Sequence, residues 1–229
     1  MPVIETKDGS NTLYVQEIDE CYHSTFGAIQ ESEHIFIGSG LNFCTKNNIS
    51  VLEIGFGTGL NAFLTMIETE KSNKIIDYQT IELYPITTSQ AKELNYCDFL
   101  GNKALFAELH SCEWNKRLKI NDCFYFTKIK SDFSVIEKIP NFDVCFFDAF
   151  SPEKQYEMWT ENRFELLFEH ADNGAVLTTY CAKGQVRRNM QQAGFIVERL
   201  SGPVGGKREI LRATKTLNRH KNQDNMSCV

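Results

Sequence analysis

Residues 51–61 read VLEIGFGTGLN, a short apolar run followed by three glycines spaced two apart. The apolar run predicts a buried strand, and Gly55, Gly57 and Gly59 predict a sharp turn into a helix, because glycine tolerates backbone angles that other residues avoid. Leu60 stands where the dinucleotide-binding pattern has its third glycine. The stretch therefore predicts a strand, turn and helix whose backbone approaches a ligand closely, although such a cluster can also be only a tight turn.

Strand-like and helix-like patterns alternate from residue 49 onward, which predicts a doubly wound α/β domain over 49–215. The predicted strands are 49–54, 77–82, 124–130, 142–147, 175–179, 195–200 and 209–214. The predicted helices are 60–69, 87–94, 104–109, 158–170 and 185–192. Residues 1–48 are expected to form a small β-rich extension with a hairpin turn at 8–11, and 216–229 a disordered tail.

Composition excludes several classes of protein. The 229 residues are 42% hydrophobic, enough for one domain with its own core. The eight cysteines include no Cys-x-x-Cys pair, so we expect neither disulfides nor a metal site. No run of about 18 uncharged apolar residues occurs, and the amino terminus carries acids, so we expect a cytoplasmic protein without membrane contact.

The charge is distributed unevenly along the chain. Residues 183–221 hold ten Lys or Arg against two Glu, or +8, whereas the whole chain carries −6. This segment is either a solvated basic face or a surface that binds phosphates. On the second interpretation the contacts come from Lys183, Arg187 and Arg188, together with Lys207 and Arg208.

Acidic residues follow three of the predicted strands. The carboxyl ends of parallel strands meet at one edge of a sheet, so Glu82, Asp132 and Asp148 are expected at one crevice. Glu82 is placed to bind ribose hydroxyls and Asp132 an adenine amino group. Glu53 would lie beside a ligand ammonium, which favours S-adenosylmethionine over a nicotinamide cofactor; it can also be an acid that caps the glycine turn.

Asp148 directly follows the apolar strand 142–147 and is the candidate catalytic residue. A carboxylate there would stabilise positive charge that develops on a reacting amine, although it can also cap the next turn. Phe150, Tyr156 and Trp159 could stack on a base turned out of single-stranded RNA. Each of these aromatic residues can equally be core packing.

The chain resembles the tRNA 5-methylaminomethyl-2-thiouridine methyltransferases, namely the methyltransferase domain of bifunctional MnmC and its stand-alone form MnmD. The matching stretches lie between about residues 22 and 211: Tyr22-His23-Ser24, Gly27 to Ser32, His34 to Phe36, Leu52 to Asn61, Ile81 to Pro85, Asp148 to Lys154 with Met158-Trp159, Thr179 to Ala182, Arg187-Arg188 and Ala193 to Phe195.

The resemblance implies a class I S-adenosylmethionine-dependent methyltransferase with a Rossmann-like sheet. It would methylate the aminomethyl nitrogen on the wobble uridine and bind the tRNA anticodon arm. Asp148 would be catalytic, and the cofactor would be bound by Glu53, Gly55, Phe56, Gly57, Thr58, Gly59, Asn61, Glu82 and Asp132. The substrate would be bound by Phe150, Pro152, Trp159, Lys183, Arg187 and Arg188. The chain ends where the oxidase domain of the bifunctional enzyme would begin, so we expect that a separate enzyme makes the aminomethyl precursor.

Three other interpretations compete with this one. An aminopropyltransferase or a small-amine methyltransferase would use a similar sheet and an acid after the same strand. A non-catalytic tRNA-binding module would keep the basic region but would need none of the acids. An adenine N-methyltransferase is disfavoured, because Asp148-Ala149-Phe150-Ser151 replaces the Asp/Asn-Pro-Pro-aromatic loop.

Overall fold

The computed structural model describes residues 1–216. The strands are β1 (Val3–Glu5), β2 (Asn11–Val15), β3 (Glu20–Cys21), β4 (Asn48–Ile54), β5 (Ile75–Glu82), β6 (Leu118–Lys119), β7 (Phe124–Lys130), β8 (Phe142–Phe147), β9 (Ala171–Thr179), β10 (Ile196–Ser201) and β11 (Glu209–Thr214). The α-helices are α1 (Ala28–Ser32), α2 (Leu60–Glu70), α3 (Thr88–Ala91), α4 (Tyr96–Leu100), α5 (Lys103–Ser111), α6 (Glu161–His170) and α7 (Gly184–Gln192).

Eight strands form the central sheet in the order β10-β11-β9-β8-β4-β5-β7-β6. The five strands from β9 to β7 run parallel, whereas β10, β11 and β6 pair antiparallel with their neighbours. The chain leaves β4 toward β5 on one side and later returns to place β8 on the other. This reversal creates a crevice at the carboxyl ends of β4 and β8, and it confirms the predicted doubly wound sheet.

Alternation along β4 separates two hydrophobic cores. Val51 belongs to a cluster that includes Phe63 of α2 and Phe106 of α5. Its neighbour Leu52 belongs to a second cluster with Phe164 of α6. Successive side chains of a strand point to opposite faces, so these two clusters show that helices cover both faces of the sheet.

The amino-terminal segment combines the predicted hairpin with helical turns that were not predicted. β1 pairs antiparallel with β2, and β2 pairs with β3, as expected for a small β-rich extension. After β3 the chain forms α1, a π-helical turn over Glu33–Gly38 and a 3₁₀ turn over Leu41–Phe43. Phe36 packs in the same cluster as Phe63, so this segment covers one face of the sheet. The domain boundary at 48 stays a prediction.

Four other elements differ from the sequence prediction. The helix predicted over 158–170 is divided into a 3₁₀ turn, Tyr156–Trp159, and α6, because Thr160 is extended at φ −73° and ψ 159°. The helix predicted over 87–94 is shorter as α3, and α4 and β6 were not predicted. The tail predicted over 216–229 lies outside the described residues from position 217 onward.

Candidate active site

The glycine turn after β4 brings three strand ends together. The Gly55 amide donates a hydrogen bond to the Ile81 carbonyl at 2.9 Å, and the Asp148 amide donates to the Ile54 carbonyl at 2.9 Å. Gly55 has φ +94°, and a Cβ atom there would lie 2.6 Å from the Asp148 carbonyl oxygen. Only glycine allows this close approach, which fixes the glycine turn against the residue that follows β8.

A cavity of about 480 Å³ opens at these strand ends. This volume lies within the range for small-molecule sites, about 300–1,000 Å³. Nine of the sequence-predicted site residues line it: Gly55, Phe56, Gly57, Thr58, Asn61, Glu82, Asp132, Asp148 and Phe150. Pro152 and Lys183 line a shallow groove beside the cavity. The remaining five, Glu53, Gly59, Trp159, Arg187 and Arg188, are not on the cavity wall.

Glu82 holds the glycine turn from the end of β5. Its Oε2 accepts a hydrogen bond from the Gly57 amide at 3.0 Å, and its Oε1 accepts one from the Tyr84 amide at 2.8 Å. Each carboxylate oxygen has two lone pairs, so both oxygens can still accept from ligand hydroxyls. A Cβ atom on Gly57 would lie 2.8 Å from the Tyr22 ring, so a side chain would fill the cradle at this position.

Asp148 lies on the cavity wall with one direct side-chain partner. The Asn61 amide nitrogen donates to its Oδ2 at 2.8 Å. Burial raises the pKa of Asp148 to about 7, and the negative charge of Glu31 adds to this shift. The hydrogen bond from Asn61 and the positive charge of Lys207 oppose it. A carboxyl group with such a pKa exchanges its proton near neutral pH, which suits general acid or base chemistry.

Glu53 does not occupy the position expected from the sequence. It has no exposed surface, and neither carboxylate oxygen has a hydrogen-bond partner within the described residues. Strand alternation directs its side chain beneath the glycine turn, toward Tyr78, Thr80 and Asn61. Burial raises the pKa of Glu53 well above its usual range, Asp148 adds to the shift, and these three neighbours partly oppose it. Its burial keeps Glu53 off the cavity wall, where a ligand ammonium would lie.

The aromatic residues at the cavity differ from the predicted stacking wall. Trp159 is 2% exposed, and its indole nitrogen donates to the Phe150 carbonyl at 2.8 Å. It therefore supports the loop after β8 from within the core. Phe150 instead packs against Tyr22, which also lines the cavity, with ring centroids 5.0 Å apart and ring planes inclined by 58°. Tyr156 is exposed and does not line the cavity.

Several cavity residues received no role from the sequence. His23 Nε2 lies 2.7 Å from Thr58 Oγ1, and burial lowers the pKa of His23 to about 4, so this ring is neutral at pH 7. Lys207 donates to Glu31 Oε1 at 2.8 Å. The stretches around Tyr22 and Glu31 were matched in the resemblance, but nothing in their local pattern indicated a role in the site.

Ion pairs neutralise much of the basic carboxyl-terminal segment. The pairs are Lys183 with Glu153, Arg199 with Glu209, Lys207 with Glu31, and Arg212 with Glu198. Arg188 donates only to the neutral Gln185, and the buried Nε of Arg187 has no partner among the described residues. The sum of charges in the sequence therefore overstates the positive surface.

Neither a metal site nor a membrane helix is found in the described part of the chain. Among residues 1–216, no three His, Cys, Asp or Glu side chains form a group that could hold a metal ion. No helix in the same range combines the length and apolarity needed to cross a bilayer.

The pKa of Asp148 predicts a dependence of stability on pH. In the folded protein Asp148 has a pKa of about 7, compared with an ordinary value of 3.8. Protonation of Asp148 therefore stabilises the folded state; this contribution is complete below about pH 3.8 and is lost as the pH rises through 7. Relative to Asp148→Asn, the free energy of unfolding of the wild type should fall by about 1 kcal/mol between about pH 6 and 8. Urea unfolding of both proteins measures this difference, and a constant or rising difference contradicts the assignment.

Comparison with known proteins identifies the family. The family model described as S-adenosyl-L-methionine-dependent methyltransferase matches residues 89–216. The tRNA 5-methylaminomethyl-2-thiouridine biosynthesis bifunctional protein MnmC of Cupriavidus metallidurans is 30% identical over 223 residues, which cover 90% of this chain and 33% of that protein. The MnmC protein of Actinobacillus pleuropneumoniae is 28% identical over 236 residues, covering 91% and 34%. The chain thus spans about a third of the length of these relatives.

Solved structures show the same fold. MnmC2 of Aquifex aeolicus superposes with a TM-score of 0.73 at 24% identity, covering 92% of this chain and 69% of that one. Spermidine synthase of Thermotoga maritima has a TM-score of 0.59 at 14% identity, covering 94% and 69%. The family model matches more than half of the sequence, and the chain belongs to the family that this model describes, the S-adenosyl-L-methionine-dependent methyltransferases.

Proposed function

We propose that this protein methylates the aminomethyl nitrogen on the wobble uridine of tRNA, with S-adenosylmethionine as the methyl donor. The observation that carries the proposal is one cavity in which Asp148 lies among the residues of the glycine turn and the Tyr22 and Phe150 rings. The names of the MnmC relatives supply the substrate class. The proposal concerns the methylation step alone, and a separate activity would make the aminomethyl precursor in the cytoplasm.

The cavity residues fit the cofactor. Gly55 and Gly57 form a cradle that any Cβ atom would obstruct, as their close neighbours show. Glu82 would accept hydrogen bonds from the ribose hydroxyls, and Asp132 would accept from the adenine amino group, with Phe133 beside it. When bound, S-adenosylmethionine supplies a methyl group on a positively charged sulfur.

Asp148 would act on the amine that receives the methyl group. The amine nitrogen forms the new N–C bond as the S–C bond of the donor breaks, and positive charge moves onto nitrogen. An alkyl amine is mostly protonated at neutral pH, so it must lose a proton before it attacks. Asp148, with its pKa of about 7, is suited to accept that proton and to stabilise the developing charge. Asn61 would orient the carboxylate through its hydrogen bond to Oδ2.

The paired rings provide the surface on which a base would stack. Single-stranded RNA is recognised by unstacked bases that pack on aromatic faces, and an anticodon loop exposes such bases. Tyr22 and Phe150 both line the cavity beside Asp148. Trp159 would act indirectly, by holding the Phe150 carbonyl.

Nucleoside mass spectrometry tests the reaction. Aminomethyl-bearing tRNA incubated with the protein and S-adenosylmethionine should gain one methyl group at the wobble uridine, and tRNA without the aminomethyl group should gain none. Release of methylthioadenosine from decarboxylated S-adenosylmethionine and an amine acceptor, with no methyl transfer from S-adenosylmethionine, would identify an aminopropyltransferase and contradict the proposal. If the protein binds tRNA but transfers no methyl group to it from S-adenosylmethionine, it is a non-catalytic binding module.

Asp148→Asn should lower single-turnover methylation by at least about a hundredfold, because it removes a positioned charge at the reacting nitrogen. Cofactor affinity, measured by calorimetry, should stay near the wild-type value. Full single-turnover activity in this variant would leave Asp148 with only a structural role.

Glu82→Gln should lower the affinity for S-adenosylmethionine by more than about tenfold, because a charged acceptor shared by two hydroxyls contributes roughly 1.5–3 kcal/mol. Glu157→Gln is the matched control, since Glu157 also lines the cavity but is exposed. Calorimetry measures both affinities. Equal affinities for the two variants would remove Glu82 from the cofactor site.

Arg187 and Arg188 have no acidic partner within residues 1–216 and remain our candidates for contacts with the tRNA backbone. Replacing both with Gln should flatten the log-log dependence of tRNA affinity on salt by about one to two units, since each phosphate contact contributes about one. The matched control replaces Arg199 and Arg212, which are paired with Glu209 and Glu198. Filter binding across salt concentrations should show no change in the control, and an unchanged slope in the test variant would place the tRNA elsewhere.

A further inference from the structure

One ion pair on the cavity wall joins two distant parts of the chain. Lys207 comes from the turn between β10 and β11, and Glu31 comes from α1. The Lys207 ammonium donates to Glu31 Oε1 at 2.8 Å, and both residues line the cavity. The Glu31 side chain is 8% exposed, whereas that of Lys207 is 38% exposed.

Neighbouring groups hold both members of the pair in place. Glu31 Oε2 accepts a hydrogen bond from the Ser24 amide at 2.9 Å. The Lys207 ammonium lies 3.9 Å from the centre of the Tyr180 ring. The turn that carries Lys207 is tight, because the Gly202 amide donates to the Arg208 carbonyl at 3.0 Å and a Cβ on Gly202 would lie 1.7 Å from the Lys207 carbonyl oxygen.

The charges along the cavity make Lys207 exceptional. Six acids line the cavity, namely Glu20, Glu31, Glu82, Asp132, Asp148 and Glu157, and Lys207 is the sole Lys or Arg among the described residues that line it. His23 adds no positive charge at pH 7, because burial lowers its pKa to about 4. A ligand that brings an anionic group into this cavity therefore has one cation available to bind it.

The cofactor of this family carries such an anionic group. Its amino-acid end has an α-carboxylate and an α-ammonium, which together complement a lysine and a glutamate held side by side. The Tyr180 ring beneath the Lys207 ammonium donates through its hydroxyl to the Ala149 carbonyl at 2.9 Å, so the pair lies on the Asp148 side of the cavity. Glu53, which was expected to bind the ammonium, is buried without surface.

We propose that Lys207 binds the α-carboxylate and Glu31 the α-ammonium of S-adenosylmethionine. The Lys207 ammonium has three donors, so one can serve the ligand while another keeps Glu31 in place. The pair would give the enzyme its preference for S-adenosylmethionine over the decarboxylated form that an aminopropyltransferase uses. This inference rests on the cofactor of the family and is independent of the proposed tRNA substrate.

Calorimetry with three ligands and no tRNA tests the assignment. S-adenosylhomocysteine carries both charged groups, its decarboxylated analogue carries only the ammonium, and 5′-methylthioadenosine carries neither. Lys207→Met should lower the affinity for S-adenosylhomocysteine by about tenfold to a hundredfold. Its affinities for the other two ligands should stay within about twofold of the wild-type values. Glu31→Gln should lower the affinity for both ammonium-bearing ligands and leave the affinity for 5′-methylthioadenosine unchanged.

Arg208→Met is the matched control, because Arg208 adjoins Lys207 but is exposed and does not line the cavity. It should bind all three ligands as the wild type does. Retained binding of 5′-methylthioadenosine shows that each variant is folded. Equal losses for all three ligands, or unchanged affinity of Lys207→Met for S-adenosylhomocysteine, would overturn the proposal. If Lys207→Met instead weakened only tRNA, Lys207 would be a phosphate contact and the proposal would also fail.

Discussion

The close approach of the Asp148 backbone to Gly55 is the constraint on which the site depends. A Cβ atom at position 55 would lie 2.6 Å from the Asp148 carbonyl oxygen, so no other residue type allows these two strand ends to meet in this way. The two amide hydrogen bonds beside this contact extend the pairing of β4 with β5 and β8 by one residue. The glycine turn and the candidate catalytic carboxylate are therefore set by the backbone of the sheet, which is more rigid than a loop.

Burial then decides what each carboxyl group can do. Glu53 and Asp148 lie on adjacent strands, and burial raises the pKa of both. Glu53 is fully enclosed beneath the turn, and this burial favours its neutral form. Asp148 reaches the cavity and has a pKa of about 7. Two carboxyl groups on adjacent strands thus differ in their access to the cavity, because one is enclosed and the other lies on the cavity wall.

The sequence predicted the sheet better than it predicted the side chains of the site. The bounds of β7 and β8 agree with prediction, because apolar alternation and an apolar run identify half-buried and buried strands. The acids at the ends of parallel strands could be assigned to one crevice, because the carboxyl ends of such strands meet at one edge of the sheet. Glu53 lies one step inside the strand, where alternation directs it away from that crevice, and motif position alone did not reveal this.

Contacts between segments that are distant in the sequence could not be predicted from local sequence patterns. Lys207 and Glu31 are 176 positions apart, and their pairing follows from a short helix with no clear periodicity and a turn that is tight only because of Gly202. Within residues 183–216, ion pairs likewise neutralise four of the eight cations, a correction that no sum over the sequence could supply. Ion pairs between exposed side chains contribute little to stability. A buried acid such as Glu31 holds its lysine more firmly, which keeps Lys207 in place to meet a ligand within the cavity.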